Sequence, residues 1–114
     1  MNKLALGTAQ FGMSYGIANQ HSKIKLENIK DIIKTAREKN IHLVDTAIAY
    51  GNSESIIGKI GILDFKFVTK LPSLPKIKVA NISSWVEDQI KLSLKRLGIQ
   101  SLYGLLIHRS EDLL

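Results

Sequence analysis

The chain has 114 residues, of which 45% are hydrophobic and 23% are charged, a composition typical of one small globular domain. The absence of cysteine excludes disulfides and thiolate metal sites and favours a reducing, cytoplasmic location. The net charge is +6, but the lysines are scattered and no aromatic residues lie between them, so a basic module that binds nucleic acid is the weaker alternative. The sequence has no signal-peptide pattern and no run that approaches a membrane span, and a membrane partner is not expected.

The first half of the chain alternates short apolar runs with a helical pattern. Residues 3–8 predict a first strand, and the glycine-punctuated stretch AQFGMSYG after it predicts a loop. Residues 26–40 carry isoleucines at helical spacing and predict a helix, which stops at its final asparagine because asparagine tolerates the left-handed conformation. Residues 41–46 predict a second strand, followed by a short helix capped by Asn52 or Ser53.

The second half repeats this alternation. Residues 66–70 predict a third strand, and residues 102–108 predict a fourth. Between them, Ser84 and Glu87 form a capping box that predicts the start of a helix, and Gly98 predicts its end. The order β-α-β-α-β-α-β predicts an α/β fold with a parallel sheet, because each return crossover between parallel strands needs a helix.

Four ionisable or proton-exchanging groups fall near the ends of these predicted strands. Asp45 ends the second strand and Tyr50 lies just beyond it, while Lys70 ends the third strand and His108 ends the fourth. Ligand chemistry gathers at the carboxyl ends of parallel strands, so these groups are expected to converge. An ammonium beside a phenol favours the phenolate, and a carboxylate can hold that ammonium in place. Each residue alone has a structural interpretation, but together they would protonate a developing alkoxide, as in carbonyl reduction.

These residues lie in segments that resemble the aldo-keto reductases. The segments are LALGTAQFG, VDTAIAYGNSESIIGK, FVTK and LKRLGIQSLYGLLIHRSED, which together span most of the chain. The LGTAQFG opening looks most like a bacterial branch often linked to sugar metabolism. The resemblance implies that residues 1–114 are the N-terminal half of a (β/α)8 barrel, truncated after strand four, since a whole barrel takes roughly 250 residues. The pattern SEDLL at residues 110–114 is typical of the start of a further helix.

The resemblance also implies a reaction, namely the NADPH-dependent reduction of an aldehyde or ketone, with a sugar-related carbonyl compound as one option. It assigns the catalytic tetrad of the family to four residues. Tyr50 is then the general acid, Lys70 adjusts its acidity, Asp45 is the orienting carboxylate and His108 orients the small-molecule carbonyl substrate.

The expected cofactor contacts within the chain are Gly7, Thr8 and Asp45. The main phosphate and adenine contacts of the family come from later strands, so the alternative is a non-catalytic fragment that keeps the tetrad but lacks the cofactor site. His21 and His42 have no metal-ligand spacing, and no metal site is expected. Two open strand edges would favour self-association of the half-barrel.

Overall fold

A computed structural model describes residues 3–12 and 24–113. Its four strands form one parallel sheet in the order β1-β2-β3-β4, with bounds β1 Leu6–Gly7, β2 Leu43–Asp45, β3 Lys66–Leu71 and β4 Gly104–Ile107. The helices are α1 Ala9–Gly12, α2 Leu26–Glu38, α3 Ser53–Ile60 and α4 Ile82–Leu97, with 3-10 turns at Val79–Asn81 and Ser110–Leu113. The predicted alternation and the parallel α/β sheet are confirmed. Within these described ranges, no helix is long and apolar enough to cross a membrane.

Two of the predicted helix ends are confirmed by backbone conformation. Asn40, just past the end of α2, has a φ of 59°, and Gly98 after α4 has a φ of 69°. Both lie in the left-handed region, where asparagine and glycine are best tolerated. The chain leaves each helix there and turns back toward the sheet.

The predicted start of the fourth helix was wrong. The N-cap of α4 is Asn81 rather than Ser84, and its side chain makes no capping hydrogen bond. The 3-10 turn before the helix already closes hydrogen bonds, such as that from the Asn81 N–H to the Lys78 carbonyl at 2.8 Å. The backbone is therefore helical before Ser84 is reached, and the capping-box pattern with Glu87 lies inside the helix.

Other local predictions need smaller corrections. The stretch AQFGMSYG was expected to be a loop, but its first four residues form α1, and the rest lies outside the described residues, as does His21. Asn52 is the N-cap of α3, again without a side-chain capping bond, and Ser53 is the first residue of the helix. The predicted helix at residues 110–114 is a 3-10 turn up to Leu113.

The sheet has a packed face and an open face, and this division places the site. The core lies between one face of the sheet and the helices and consists of Phe11, Ile29, Ile33, Ala36, Val44, Ile57, Ile62, Phe65, Phe67 and Leu97. Along β3, Phe67, Thr69 and Leu71 are buried in alternation, as expected for side chains that point to opposite faces in turn. Lys70 therefore lies on the face opposite to the core, together with Asp45, which follows the buried Val44.

We expect the 114-residue chain to self-associate. Within the described ranges, β1 and β4 each pair along one edge only, and on β4 the side chains of Leu106 and Ile107 are 50% and 43% exposed. Unpaired strand edges and apolar surface favour association. Sedimentation at a protein concentration of about tens of micromolar, where unpaired edges usually associate, measures the oligomeric state. A stable monomer would contradict it, and Ile107→Lys, which puts a charge on the edge, should reduce association.

Candidate active site

Lys70 is the centre of the predicted constellation. Its ammonium Nζ donates to Asp45 Oδ1 at 2.9 Å, to the Thr46 carbonyl at 2.9 Å and to the Tyr50 hydroxyl oxygen at 3.3 Å. The sheet register explains the first contact, because Asp45 pairs with Val68 and Lys70 is the next residue of β3 on the same face. Three acceptors match the three N–H donors of a lysine ammonium, so its position is fully determined.

In the ion pair of this cluster, the ammonium is shielded from solvent and the carboxylate is not. The Lys70 side chain is 15% exposed, while the Asp45 side chain is 41% exposed. The ammonium also lies 5.0 Å from the centre of the Tyr50 ring. A hydrogen bond donated by a cation to the phenolic oxygen stabilises negative charge on that oxygen. The arrangement therefore suits a hydroxyl that gives up a proton.

Tyr50 is carried by a tight turn between β2 and α3. Its N–H donates to the Ala47 carbonyl at 3.1 Å, and its own carbonyl accepts from the Ser53 N–H at 3.0 Å. Gly51 follows with a φ of 56°, a left-handed conformation that favours glycine. The turn directs the phenol over Lys70.

His108 joins the cluster from the far strand. It follows β4 directly, and its backbone N–H donates to the Leu71 carbonyl at 3.3 Å. Its exposed ring meets the Tyr50 ring edge-on, with centroids 5.7 Å apart and an interplanar angle of 85°. All four residues that the sequence predicted are thus brought together at the carboxyl ends of β2, β3 and β4.

The residues predicted to contact a cofactor differ in accessibility. Gly7 pairs with Asp45 in the sheet, is exposed, and has no heavy atom within 4 Å of the position where a side chain would begin. Thr8 is 1% exposed, and its backbone N–H and its hydroxyl both donate to the Asp45 carbonyl, at 3.1 and 3.0 Å. Gly7 therefore offers open surface beside Asp45, whereas the polar groups of Thr8 are already bonded within the protein.

Sequence reasoning missed the polar layer behind the site. Glu54, at the start of α3, is 2% exposed, and its carboxylate accepts from Thr69 Oγ1 at 2.7 Å, Ser93 Oγ at 3.1 Å and Arg96 Nε at 2.8 Å. From the sequence, a first-turn glutamate indicates only a favourable interaction with the helix dipole. A usable signal was present in Thr69, a polar residue that alternation places on the core side of β3, where it needs a polar partner. In the described part of the chain, no group of three or more His, Asp or Glu side chains is placed to hold a metal ion.

Comparison with known proteins agrees with the fold. Two solved structures of candidate aldo-keto reductases from Pseudomonas aeruginosa superpose with TM-scores of 0.74 and 0.71, at 28% and 26% identity, each covering 93% of this chain. A candidate 2,5-diketo-D-gluconic acid reductase B, at 21% identity and a TM-score of 0.56 over 91% of the chain, shares the fold. The chain spans 42%, 41% and 32% of the lengths of these proteins.

The comparison with curated proteins gives no match. The model of the aldo/keto reductase family, by contrast, matches residues 3–113, which is nearly the whole sequence. The parallel sheet and the residues at its carboxyl ends are consistent with that match. The chain belongs to the aldo/keto reductase family.

Proposed function

We propose that the chain carries the catalytic tetrad of an NADPH-dependent reductase of aldehydes or ketones. The observation that carries this proposal is the position of Lys70, whose ammonium donates to the Tyr50 hydroxyl oxygen at 3.3 Å while Asp45 holds it at 2.9 Å. Membership of the family supports carbonyl reduction as the reaction class. The absence of cysteine supports a cytoplasmic location as part of the same proposal.

Each residue of the tetrad has a defined task. The nicotinamide cofactor, when bound, supplies the hydride that reaches the carbonyl carbon of the substrate. Tyr50 donates its hydroxyl proton to the carbonyl oxygen, and the phenolate that remains is stabilised by the Lys70 ammonium. Asp45 balances the charge of Lys70 and fixes its position. His108, exposed and edge-on to the Tyr50 ring, orients the substrate carbonyl.

The described residues fit the nicotinamide end of the cofactor. Gly7 leaves open surface beside Asp45 on the face of the sheet that carries Lys70, and a flat ring needs such a surface. Gly7 and Asp45 would hold that ring, and the Thr8 hydroxyl donates a hydrogen bond to the Asp45 carbonyl from the core side of the sheet. The phosphates of a dinucleotide need amides or cations, and Asp45 carries the same charge as the phosphates.

An activity assay tests the proposal. The oxidation of NADPH and of NADH is followed with a panel of aldehydes and ketones, sugar-derived ones included. The assay uses the 114-residue chain and any longer product of its reading frame. We expect carbonyl-dependent oxidation by a product that binds the cofactor, and we expect Lys70→Met to abolish it. A product that binds NADPH or NADH yet oxidises neither with any carbonyl compound would overturn the proposal.

We expect the 114-residue chain by itself to bind NADPH weakly or not at all. Affinity for a dinucleotide comes mainly from its phosphates and adenine, whereas Gly7 and Asp45 would touch only the nicotinamide end. Titration with NADPH, followed by the fluorescence of Trp85 and of the cofactor, measures the affinity. Saturable binding in the low micromolar range at physiological salt, about 8 kcal/mol, would contradict this expectation. The same titration addresses the alternative of a fragment without a cofactor site.

A further inference from the structure

Three buried threonines lie on the core side of the sheet at the site, and each is adjacent in sequence to a residue of the open face. Thr8 follows β1, Thr46 follows β2 and Thr69 precedes Lys70 on β3, and their exposures are 1%, 0% and 0%. Because successive strand residues point to opposite faces, these hydroxyls lie on the core side, while Asp45 and Lys70 lie on the open side. Buried hydroxyls require partners, and the start of α3 supplies them.

Ser53, the first residue of α3, joins two of these threonines. Its side chain is fully buried, and its hydroxyl donates to the Thr8 carbonyl at 3.0 Å and lies 3.2 Å from Thr8 Oγ1. The Thr46 hydroxyl is also 3.2 Å from Ser53 Oγ. Since the single proton of Ser53 is directed at Thr8, Thr46 is the donor in this last bond. A continuous chain of hydrogen bonds therefore runs from Thr46 through Ser53 to Thr8.

These hydrogen bonds extend to Asp45 and Thr46, two residues that accept from the lysine. Thr8 donates twice to the Asp45 carbonyl, through its N–H at 3.1 Å and its hydroxyl at 3.0 Å. The Thr46 carbonyl accepts from Lys70 at 2.9 Å, and the Asp45 carboxylate accepts from Lys70 at the same distance. Thr46, which bonds to Ser53, thus supplies one of the three acceptors of the ammonium. Asp45, whose carbonyl accepts from Thr8, supplies another.

Ser53 is also tied to the turn that carries the phenol. Its backbone N–H donates to the Tyr50 carbonyl at 3.0 Å. Gly12, at the end of α1, approaches this turn so closely that a Cβ on it would overlap the Tyr50 carbonyl oxygen and the Ser53 nitrogen. Backbone atoms cannot move aside as a flexible side chain can. The turn is therefore fixed on the side of α1 as well as by α3.

We propose that Ser53 is a positioning residue for carbonyl reduction. Through its hydroxyl it fixes the Asp45–Thr46 peptide, which in turn fixes the Lys70 ammonium against the Tyr50 hydroxyl. Ser53 itself is buried behind the sheet and touches none of the reacting atoms. The effect of Ser53 on catalysis rests on the proposed function, but the positions of Lys70 and Tyr50 can be measured without turnover.

The test compares Ser53→Ala with Ser93→Ala in the 114-residue chain. Both serines are fully buried helix residues with bonded hydroxyls, but Ser93 serves Glu54 and Arg96 rather than the Asp45–Thr46 peptide. Nuclear Overhauser contacts between the Lys70 ε-methylene and the Tyr50 ring report the geometry. The hydrogen–nitrogen signal of the Lys70 ammonium, visible when hydrogen bonds slow its exchange with water, gives a second report. Thermal denaturation of both variants reports stability separately.

We expect both reports to be lost or strongly weakened in Ser53→Ala and retained in Ser93→Ala, although both variants lose stability. Thr46→Val, which keeps the side-chain volume and removes the hydroxyl that donates to Ser53, should show the same loss and remains informative if Ser53→Ala does not fold. Unchanged Lys70 and Tyr50 signals in Ser53→Ala or Thr46→Val would overturn the inference, and so would an equal loss in Ser93→Ala. A cofactor-binding product of the reading frame that shows no reductase activity, either unchanged or with these substitutions, would count against the proposed function and leave this geometric result standing.

Discussion

Replacing Tyr50 by phenylalanine in a completed barrel is expected to lower kcat for carbonyl reduction by about two to four orders of magnitude, the contribution of a positioned general acid. Phenylalanine keeps the ring that meets His108 edge-on and lies 5.0 Å from the Lys70 ammonium. It removes only the hydroxyl that donates the proton. Cofactor affinity should change little, because the hydroxyl acts on the substrate oxygen. Steady-state kinetics, with NADPH binding measured separately, distinguish these effects.

The matched control for this change is Tyr103→Phe. Tyr103 also has a lysine near its ring, with the Lys66 ammonium 4.8 Å from the ring centre. It lies just before β4, at the amino ends of the strands, and is 63% exposed. We expect kcat to be unchanged in this variant. A Tyr50→Phe enzyme that keeps most of its kcat would contradict the role of Tyr50, and an equal loss of kcat and cofactor affinity would indicate misfolding instead.

The convergence of Asp45, Tyr50, Lys70 and His108 could be predicted from the sequence because its signals are local. Asp45 and Lys70 each interrupt a β-favouring run at its carboxyl end, and parallel strands place such ends together regardless of their separation along the chain. The strand order follows from the alternation with helices. The direct bond between Lys70 and Asp45 then needs only the sheet register. The positions of Tyr50 and His108 follow from the same strand ends.

The supporting layer could not be predicted because it depends on packing between distant segments. Glu54 has the local pattern of a favourable first-turn acid, yet its partners Ser93 and Arg96 lie on α4 and become neighbours only when the two helices pack together. Thr8 was assigned to cofactor contact from a resemblance, whereas its hydroxyl and its N–H serve the Asp45 carbonyl. The start of α4 shows the converse problem. Ser84 has the sequence pattern of a helix N-cap, but the preceding 3-10 turn makes the backbone helical before Ser84, so the helix begins earlier.

Glu54 is expected to be the largest single contributor to stability in this polar layer. Its carboxylate is 2% exposed and accepts from Thr69, Ser93 and Arg96, so no donor around it is left without a partner. Glu54→Gln keeps the side-chain shape but replaces one carboxylate oxygen by an amide NH2 group, a donor that faces the donors of Thr69, Ser93 or Arg96. The substitution also leaves the Arg96 guanidinium without its counter-charge. The Glu54 side chain is 3% exposed, although that of Arg96 is 32% exposed. Leaving a buried hydrogen-bonding group without its partner costs about 1–3 kcal/mol. The total stability of a small domain is only about 5–15 kcal/mol.

Chemical denaturation of Glu54→Gln beside Asp64→Asn tests this expectation, because the second change breaks an arginine–carboxylate ion pair at the surface. Arg37 donates to Asp64 at 2.8 and 2.7 Å, and this hydrogen bonding lowers the pKa of Asp64, yet the two side chains are 43% and 47% exposed. Solvent screens such a pair, so its loss should cost only a small fraction of the loss at Glu54. Equal losses of unfolding free energy in the two variants would show that burial of Glu54 behind Lys70 adds nothing. A larger loss at Glu54 would show that the buried polar layer behind the site stabilises the fold more than the surface ion pair does.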